Sequence, residues 1–132
     1  MSAFEVNTTP YGVRVAYKGF PDAREVAEMT IQMEKMMPSL HAGWGILVDM
    51  RDNKVFSQEV ADLMQGQITL CKRFGLGRAA VVLQSAIVAL QARRIAIEGG
   101  VIPIIRFIDA GTHPDWEKRA IAWISRGDDP ET

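Results

Sequence analysis

The chain has few of the residues that build covalent or metal-stabilised structure. Among its 132 residues are one cysteine, Cys71, and two histidines, His41 and His113. A single cysteine cannot form an internal disulfide, which favours a reducing compartment. A zinc site needs three or four closely placed ligands, and no such spacing is present. We therefore expect no metal, no cofactor and no Cys–His catalytic pair.

The chain also lacks an excess of charge and a long apolar run. Its 15 basic and 16 acidic residues give a net charge of −1. This balance disfavours nucleic acid as a partner, because affinity for phosphates requires many Lys and Arg side chains. No apolar run approaches the roughly 20 residues that span a bilayer, and no signal peptide is visible. These absences predict a cytoplasmic protein without a membrane span.

Short apolar runs alternate with segments of helical periodicity along the whole chain. Hydrophobic residues make up 48% of the composition, enough for one core. Strands are predicted at residues 4–7, 13–17, 45–50, 79–83 and 102–108. Asp22, Ser57 and Ser85 are predicted to cap helices, and a final helix carries Trp116 to Ile124 on its apolar face. Residues 126–132 read as a polar tail.

The order of these segments predicts an α/β fold. The element order is β-β-α-β-α-β-α-β-α, and alternation of this kind is typical of a largely parallel sheet. The first two strands are close enough in sequence to form a hairpin, which adds an antiparallel edge. We therefore predict one domain over residues 1–132, built on a mixed, mostly parallel sheet of five strands.

Charged residues follow the predicted central strand. Asp49, Arg51 and Asp52 lie where that strand runs towards the helix capped by Ser57. Ligands of α/β domains bind at the carboxyl ends of strands, so these three residues form a candidate rim with Ser85 and Asp109. Two carboxylates can hold a metal or exchange protons, but Arg51 lies between them and can neutralise either one. A salt-bridged loop is the favoured interpretation.

Four segments resemble the SpoIIAA-like superfamily, which includes the STAS domains of anti-sigma factor antagonists. They are Leu-Val-Asp-Met-Arg at 47–51, Ala-Ala-Val-Val-Leu at 79–83 with Ser85, Arg-Phe-Ile at 106–108, and Ala-Ile-Ala-Trp-Ile at 120–124. The match is closer to a stand-alone bacterial STAS/SEC14-like branch. The resemblance implies a mixed sheet with helices mainly on one face, and a regulatory, protein-binding role.

In the antagonist branch a serine or threonine is phosphorylated at the start of the helix after the central strand. The matching position in this chain falls near Ser57. The chain reads Phe-Ser-Gln-Glu at 56–59, without the Asp-Ser pair and the glycine of the family motif. Ser57 is therefore either a phosphoacceptor or docking residue, or a simple N-cap, and the cap alone accounts for it.

Methionine is the one compositional oddity. Met29, Met33, Met36 and Met37 crowd the first predicted helix. Methionine adapts to irregular gaps and to varied partners, so these residues are either core filling or a face for an apolar ligand or a partner. Met36 lies off the main stripe and is expected to be more exposed than the others.

Three functions follow from these patterns. The preferred one is a non-catalytic regulatory interaction module that self-associates, most simply as a homodimer. The alternative is a carrier or sensor of a small apolar, lipid-like ligand. An enzyme using Asp49, Asp52 or Ser57 with His113 would need these groups within hydrogen-bond reach. We expect no enzyme, because the sequence shows no catalytic constellation.

Overall fold

Five strands and four α-helices alternate along the chain in this computed structural model, which describes residues 4–131. The strands are β1 (Phe4–Thr9), β2 (Gly12–Gly19), β3 (Gly45–Asn53), β4 (Arg78–Leu83) and β5 (Ile105–Asp109). The α-helices are α1 (Ala23–Met36), α2 (Gln58–Arg73), α3 (Ala86–Glu98) and α4 (Trp116–Arg126). A short 3-10 helix (Met37–Ser39) follows α1. The predicted element order is confirmed.

The strands form one mixed sheet in the order β1-β2-β3-β4-β5. β1 pairs antiparallel with β2, and the other three pairings are parallel. The hairpin turns at Gly12, whose backbone lies so close to Gly45 that any side chain would collide with the Gly45 carbonyl. Parallel pairing places the carboxyl ends of β2, β3 and β4 at the same edge of the sheet.

Each face of the sheet has its own apolar layer. The larger layer joins α1, α2 and α3 to the sheet through residues such as Met29, Val60 and Val88. On the opposite face, Trp123 and Ile124 of α4 pack on strand residues such as Leu47. Because successive strand residues point to opposite faces, Ile46 belongs to the first layer and Leu47 to the second. Three of the four α-helices therefore cover one face.

Three α-helices begin at the side chains predicted to cap them. The Asp22 carboxylate accepts a hydrogen bond from the Glu25 backbone N–H, and the Glu25 carboxylate accepts one from the Asp22 backbone N–H, which completes a capping box. Ser57 and Ser85 accept from the backbone N–H groups of Val60 and Val88. These caps satisfy donors that the first helical turn leaves without intrahelical partners.

Two strands differ from their predicted bounds. β3 continues through residues 51–53, and its pairing with β2 is irregular between Ala16 and Lys18 because β3 carries an extra residue there. β5 begins only at Ile105, since residues 102–104 form turns around Pro103, which lacks an N–H for a strand ladder. β5 lies at the edge of the sheet.

The end of the chain folds back on β5. Arg126 is the last residue of α4 rather than the first of a tail. Asp129 and Glu131 form ion pairs with Arg106 at 3.1 and 3.9 Å, and Glu131 also pairs with Arg93 at 3.4 Å. The segment after α4 is polar, as predicted, but it is held by charge. Thr132 of the predicted tail lies outside the described residues.

Over residues 4–131, none of the helices has both the length and the apolar character needed to cross a lipid bilayer.

Candidate functional site

The charged rim of the central strand is assembled around Asp49. This carboxylate accepts from the Arg51 backbone N–H at 3.1 Å and pairs with the Arg51 guanidinium at 2.8 and 2.9 Å. Arg14 of β2 approaches the same carboxylate at 3.3 Å and also reaches Glu117 of α4 at 2.9 Å. The sequence predicted that Arg51 neutralises either Asp49 or Asp52, and the structure shows the pair with Asp49. The sequence did not indicate Arg14, which lies near Asp49 because β2 is beside β3.

An aromatic ring supports the two arginines. The Arg51 guanidinium carbon lies 4.2 Å from the centre of the Trp116 ring, and that of Arg14 lies 5.9 Å from it. Burial of Asp49 acts to raise the pKa of its carboxyl, but the hydrogen bonds and charges of Arg51 and Arg14 outweigh burial and hold that pKa below its ordinary value. Asp49 is therefore ionised at neutral pH, and a depressed pKa of this kind does not suit a general acid.

An open cleft of about 670 Å³ lies at the carboxyl ends of β2, β3 and β4. Its lining includes three of the predicted rim residues, Arg51, Asp52 and Ser85, together with Phe20 and Asn53. Asn53 is only 3% exposed, and within residues 4–131 its Oδ1 is the one buried side-chain oxygen or nitrogen without a hydrogen-bond partner. The cleft thus brings together most of the predicted rim.

Two candidate site residues, Ser57 and Asp109, line other pockets and not this cleft. Ser57 borders a smaller pocket with Gln91 and Arg94 and acts as the N-cap of α2. Its role as a phosphoacceptor stays a prediction. Asp109 lines a third pocket with Ser85, and its Oδ1 accepts from the Gly111 backbone N–H at 2.8 Å, which stabilises the turn after β5.

The four methionines in and directly after α1 do not form an exposed apolar face. Met29, Met33 and Met37 are each at most 2% exposed and lie within the larger apolar layer. Met36 is the most exposed of the four, as predicted, but it is still partly buried and packs against that layer. Of the four residues, Met33 alone borders an internal cavity, which lies between α2 and the sheet.

The structure does not join the residues of the enzyme hypothesis to one another by hydrogen bonds. His113 lies in the loop before α4, and among residues 4–131 no hydrogen bond joins His113 to Asp49, Asp52 or Ser57. Cys71 is buried, and burial raises the pKa of its thiol to about 12. No group of three His, Cys, Asp or Glu side chains in the same range could hold a metal.

An exposed apolar stripe on α3 was not predicted. Ile87, Leu90 and Ile97 are 62%, 70% and 65% exposed, whereas Val88 and Ile95 of the same helix are buried. The signal was visible in the sequence, because α3 carries large aliphatic residues outside its inward stripe. Soluble proteins rarely cluster such residues on a surface without a partner.

Comparison with known proteins adds no identity to this geometry. No protein-family model matches the chain, and no curated protein matches it significantly.

Proposed function

We propose that the protein is a non-catalytic regulatory module that acts by associating with a second copy of itself through the outer face of α3. The observation that carries this proposal is the exposed stripe of Ile87, Leu90 and Ile97. With Arg94 these residues follow the 3-4-3 spacing of a coiled-coil seam, which is the pattern that fits another helix. The resemblance to STAS domains, which implies a protein-binding role, supports the same function.

The stripe is complementary to itself. In an antiparallel helix pair related by a two-fold axis near Ala92, Ile87 faces Ile97 of the second copy and Leu90 faces Arg94. Arg94 is already paired with Glu98 at 3.2 Å, so its charge has a partner and its aliphatic stem is available to cover Leu90. A two-fold interface uses the same patch on both molecules, which this arrangement satisfies.

The size of the stripe sets the expected strength of the dimer. The 13 residues of α3 span about 20 Å, at roughly 1.5 Å per residue. One helix face covers less than the roughly 800 Å² per partner of a standard interface. The dimer is therefore weak and forms in a concentration-dependent way, as suits a regulatory contact that must also be released.

The polar side chains near the carboxyl edge of the sheet are engaged in structural interactions, which supports a role other than catalysis. Asp49 is engaged by Arg14 and Arg51, and its depressed pKa keeps it ionised. Asp109 is engaged by a turn, and Ser57 and Ser85 by helix caps. Each of these four side chains has a structural task. The regulatory role and the cytoplasmic location remain predictions.

Sedimentation equilibrium between about 5 µM and 1 mM tests the proposal, a range that brackets weak association. The monomer has a mass of 14.6 kDa, so the weight-average mass should rise from that value towards twice it. Leu90→Lys should remain monomeric throughout, because it places a positive charge opposite Arg94 of the second copy, and like charges repel.

Ile31→Lys is the matched control, since Ile31 is an exposed aliphatic residue of α1 away from the stripe. This variant should associate as the wild type does. A wild-type mass that stays at 14.6 kDa up to the highest concentration would overturn the proposal. Equal association of the wild type and Leu90→Lys would place the contact elsewhere and also overturn it.

A further inference from the structure

The larger apolar layer contains an unfilled, partly open space. A cavity of about 100 Å³ lies between α2 and the middle of the sheet. Its walls include Met64 and Cys71 of α2, Val48 and Met50 of β3, and Ala92 of α3. α2 contacts α1 and α3 more closely than it contacts any strand, which leaves this space beneath it. Protein interiors rarely leave voids larger than a water molecule, so a cavity of this size is unusual.

The polar groups at the cavity are already satisfied by one another. The Tyr17 hydroxyl donates to Gln67 Oε1 at 2.9 Å. Gln67 Nε2 donates to the Val26 carbonyl at 3.2 Å and to Thr30 Oγ1 at 2.9 Å, so both of its hydrogens are used. The remaining walls are almost entirely apolar. A water in this space would lack the two to four polar partners that it needs, and apolar cavities of this kind stay dry.

Sulfur atoms are prominent in the lining. Met33, Met50, Met64 and Cys71 all border the cavity. Thioether sulfur makes favourable contacts with aromatic rings, and methionine side chains adjust to the shape of a ligand. An engineered apolar cavity of about 150 Å³ in another protein binds benzene and xenon. At about 100 Å³, the present cavity has roughly two thirds of that volume.

We infer that this cavity is a binding site for a compact, uncharged aromatic or similarly apolar molecule no larger than benzene. The ligand lies between α2 and the sheet, with its ring against the methionine sulfurs and with no hydrogen bond to the protein. The volume excludes an acyl chain, so the site differs from the lipid-like ligand predicted from the sequence. The inference is independent of the α3 interface.

Methionine-methyl NMR tests the site directly, with benzene as the probe. The ε-methyl resonances of Met33, Met50 and Met64 should shift on addition of benzene. Met29 and Met37 are internal controls, because they are buried in the same layer but do not line the cavity. Phenol should bind at least tenfold more weakly, because its hydroxyl would find no free partner in the cavity.

Ala92→Leu should fill the space and abolish the benzene response. Ala89→Leu is the matched control: Ala89 is a partly buried alanine on the same helix and lines none of the cavity. That variant should keep the response. Cys71→Leu repeats the filling from α2, in case Ala92→Leu fails to fold.

Three results would overturn the inference. The first is the absence of a shift at Met33, Met50 and Met64 up to the solubility limit of benzene. The second is an equal shift at Met29 and Met37, or a response that survives in a folded, cavity-filled variant. The third is phenol binding as tightly as benzene.

Discussion

The two faces of the sheet are packed in different ways. On one face, α4 lies close to β3, β4 and β5 over small residues such as Ala80 and Ala120. On the other, α2 lies farther from the strands, and a cavity of about 100 Å³ remains beneath it. Both faces are buried and both are apolar. Burial alone therefore does not determine how much change a face tolerates; the fit between the surfaces does.

The difference in packing between the two faces originates in particular residues of the sequence. Gly45 of β3 has no side chain, and any Cβ there would collide with Ile124 Cγ2 of α4. The close approach of α4 depends on this absence. The three-helix face instead uses methionine at several positions, and methionine fills irregular gaps loosely. Four substitutions follow in order of decreasing expected effect, and the first two test the difference in packing between the two faces.

Trp123→Ala should cost about 4 kcal/mol of unfolding free energy, within the usual range for a buried aromatic residue. Trp123 fills the α4 face, and its indole N–H donates to the Ala79 carbonyl at 3.0 Å and towards that of Ile104 at 3.3 Å. Chemical denaturation measures the loss. Trp123→Phe, which keeps a ring and loses the N–H, should cost about half as much. A loss below about 1 kcal/mol in Trp123→Ala would contradict the tight packing of this face.

Gly45→Ala should destabilise the fold by about 2 kcal/mol, because the added methyl group forces α4 away from β3. Combined with Ile124→Ala, which removes the colliding methyl, the two losses should be less than additive in a double-mutant cycle. Gly66→Ala is the matched control on α2. Gly66 has open space around its Cβ position, and alanine there should stabilise the helix by up to about 1 kcal/mol. Equal effects at the two glycines would remove the contrast.

Asp49→Asn should cost about 1.5 kcal/mol at neutral pH, since it leaves Arg14 and Arg51 without their shared anion in a partly exposed site. The pKa of Asp49 is lower in the folded state than the ordinary value of 3.8. The carboxylate therefore stabilises the fold at pH values above 3.8, and this contribution is lost as the pH falls through the folded-state pKa.

The stability difference between wild type and Asp49→Asn should accordingly be constant near pH 7 and should shrink in strong acid. Thermal unfolding as a function of pH measures it. A difference that grows as the pH falls would contradict the assignment. Glu117→Gln, which removes only the more exposed partner of Arg14, should have a smaller effect.

Ser57→Ala should cost about 1 kcal/mol, the usual value of an N-cap hydroxyl. Ser57→Asp should retain most of the stability, because aspartate also caps and suits the positive end of the helix dipole. Urea denaturation of both variants provides the measurement. Unchanged stability in Ser57→Ala would mean that the cap does not explain this serine, and would strengthen the phosphoacceptor hypothesis.

Local patterns in the sequence predicted much of the fold. The caps at Asp22, Ser57 and Ser85 and the inward residues Val88 and Ile95 of α3 depend on contacts within a few residues. Such contacts leave a readable period or motif. The order of elements followed from the same local signals.

Features that depend on distant residues were not predicted. Arg14 joins Asp49 only through the pairing of β2 with β3, and Asn53 is buried because the irregular pairing near Lys18 changes which residues of β3 face the helices. The cavity depends on the distance between α2 and the sheet, which no single segment encodes. Arg51, Asp52 and Ser85 of the candidate rim line one cleft, but their role as a site stays a prediction, and the sequence did not indicate that Arg14 pairs with Asp49.

The segment after α4, which folds back on β5, also affects whether two molecules can associate through the edge of the sheet. An edge strand displays backbone groups that can extend the sheet into a neighbouring molecule. Here the Phe107 N–H at that edge donates to Glu131 at 3.3 Å, and the ion pairs with Arg93 and Arg106 keep charge beside it. This short acidic segment therefore occupies one backbone donor of the edge strand, which disfavours the addition of a strand from a neighbouring molecule.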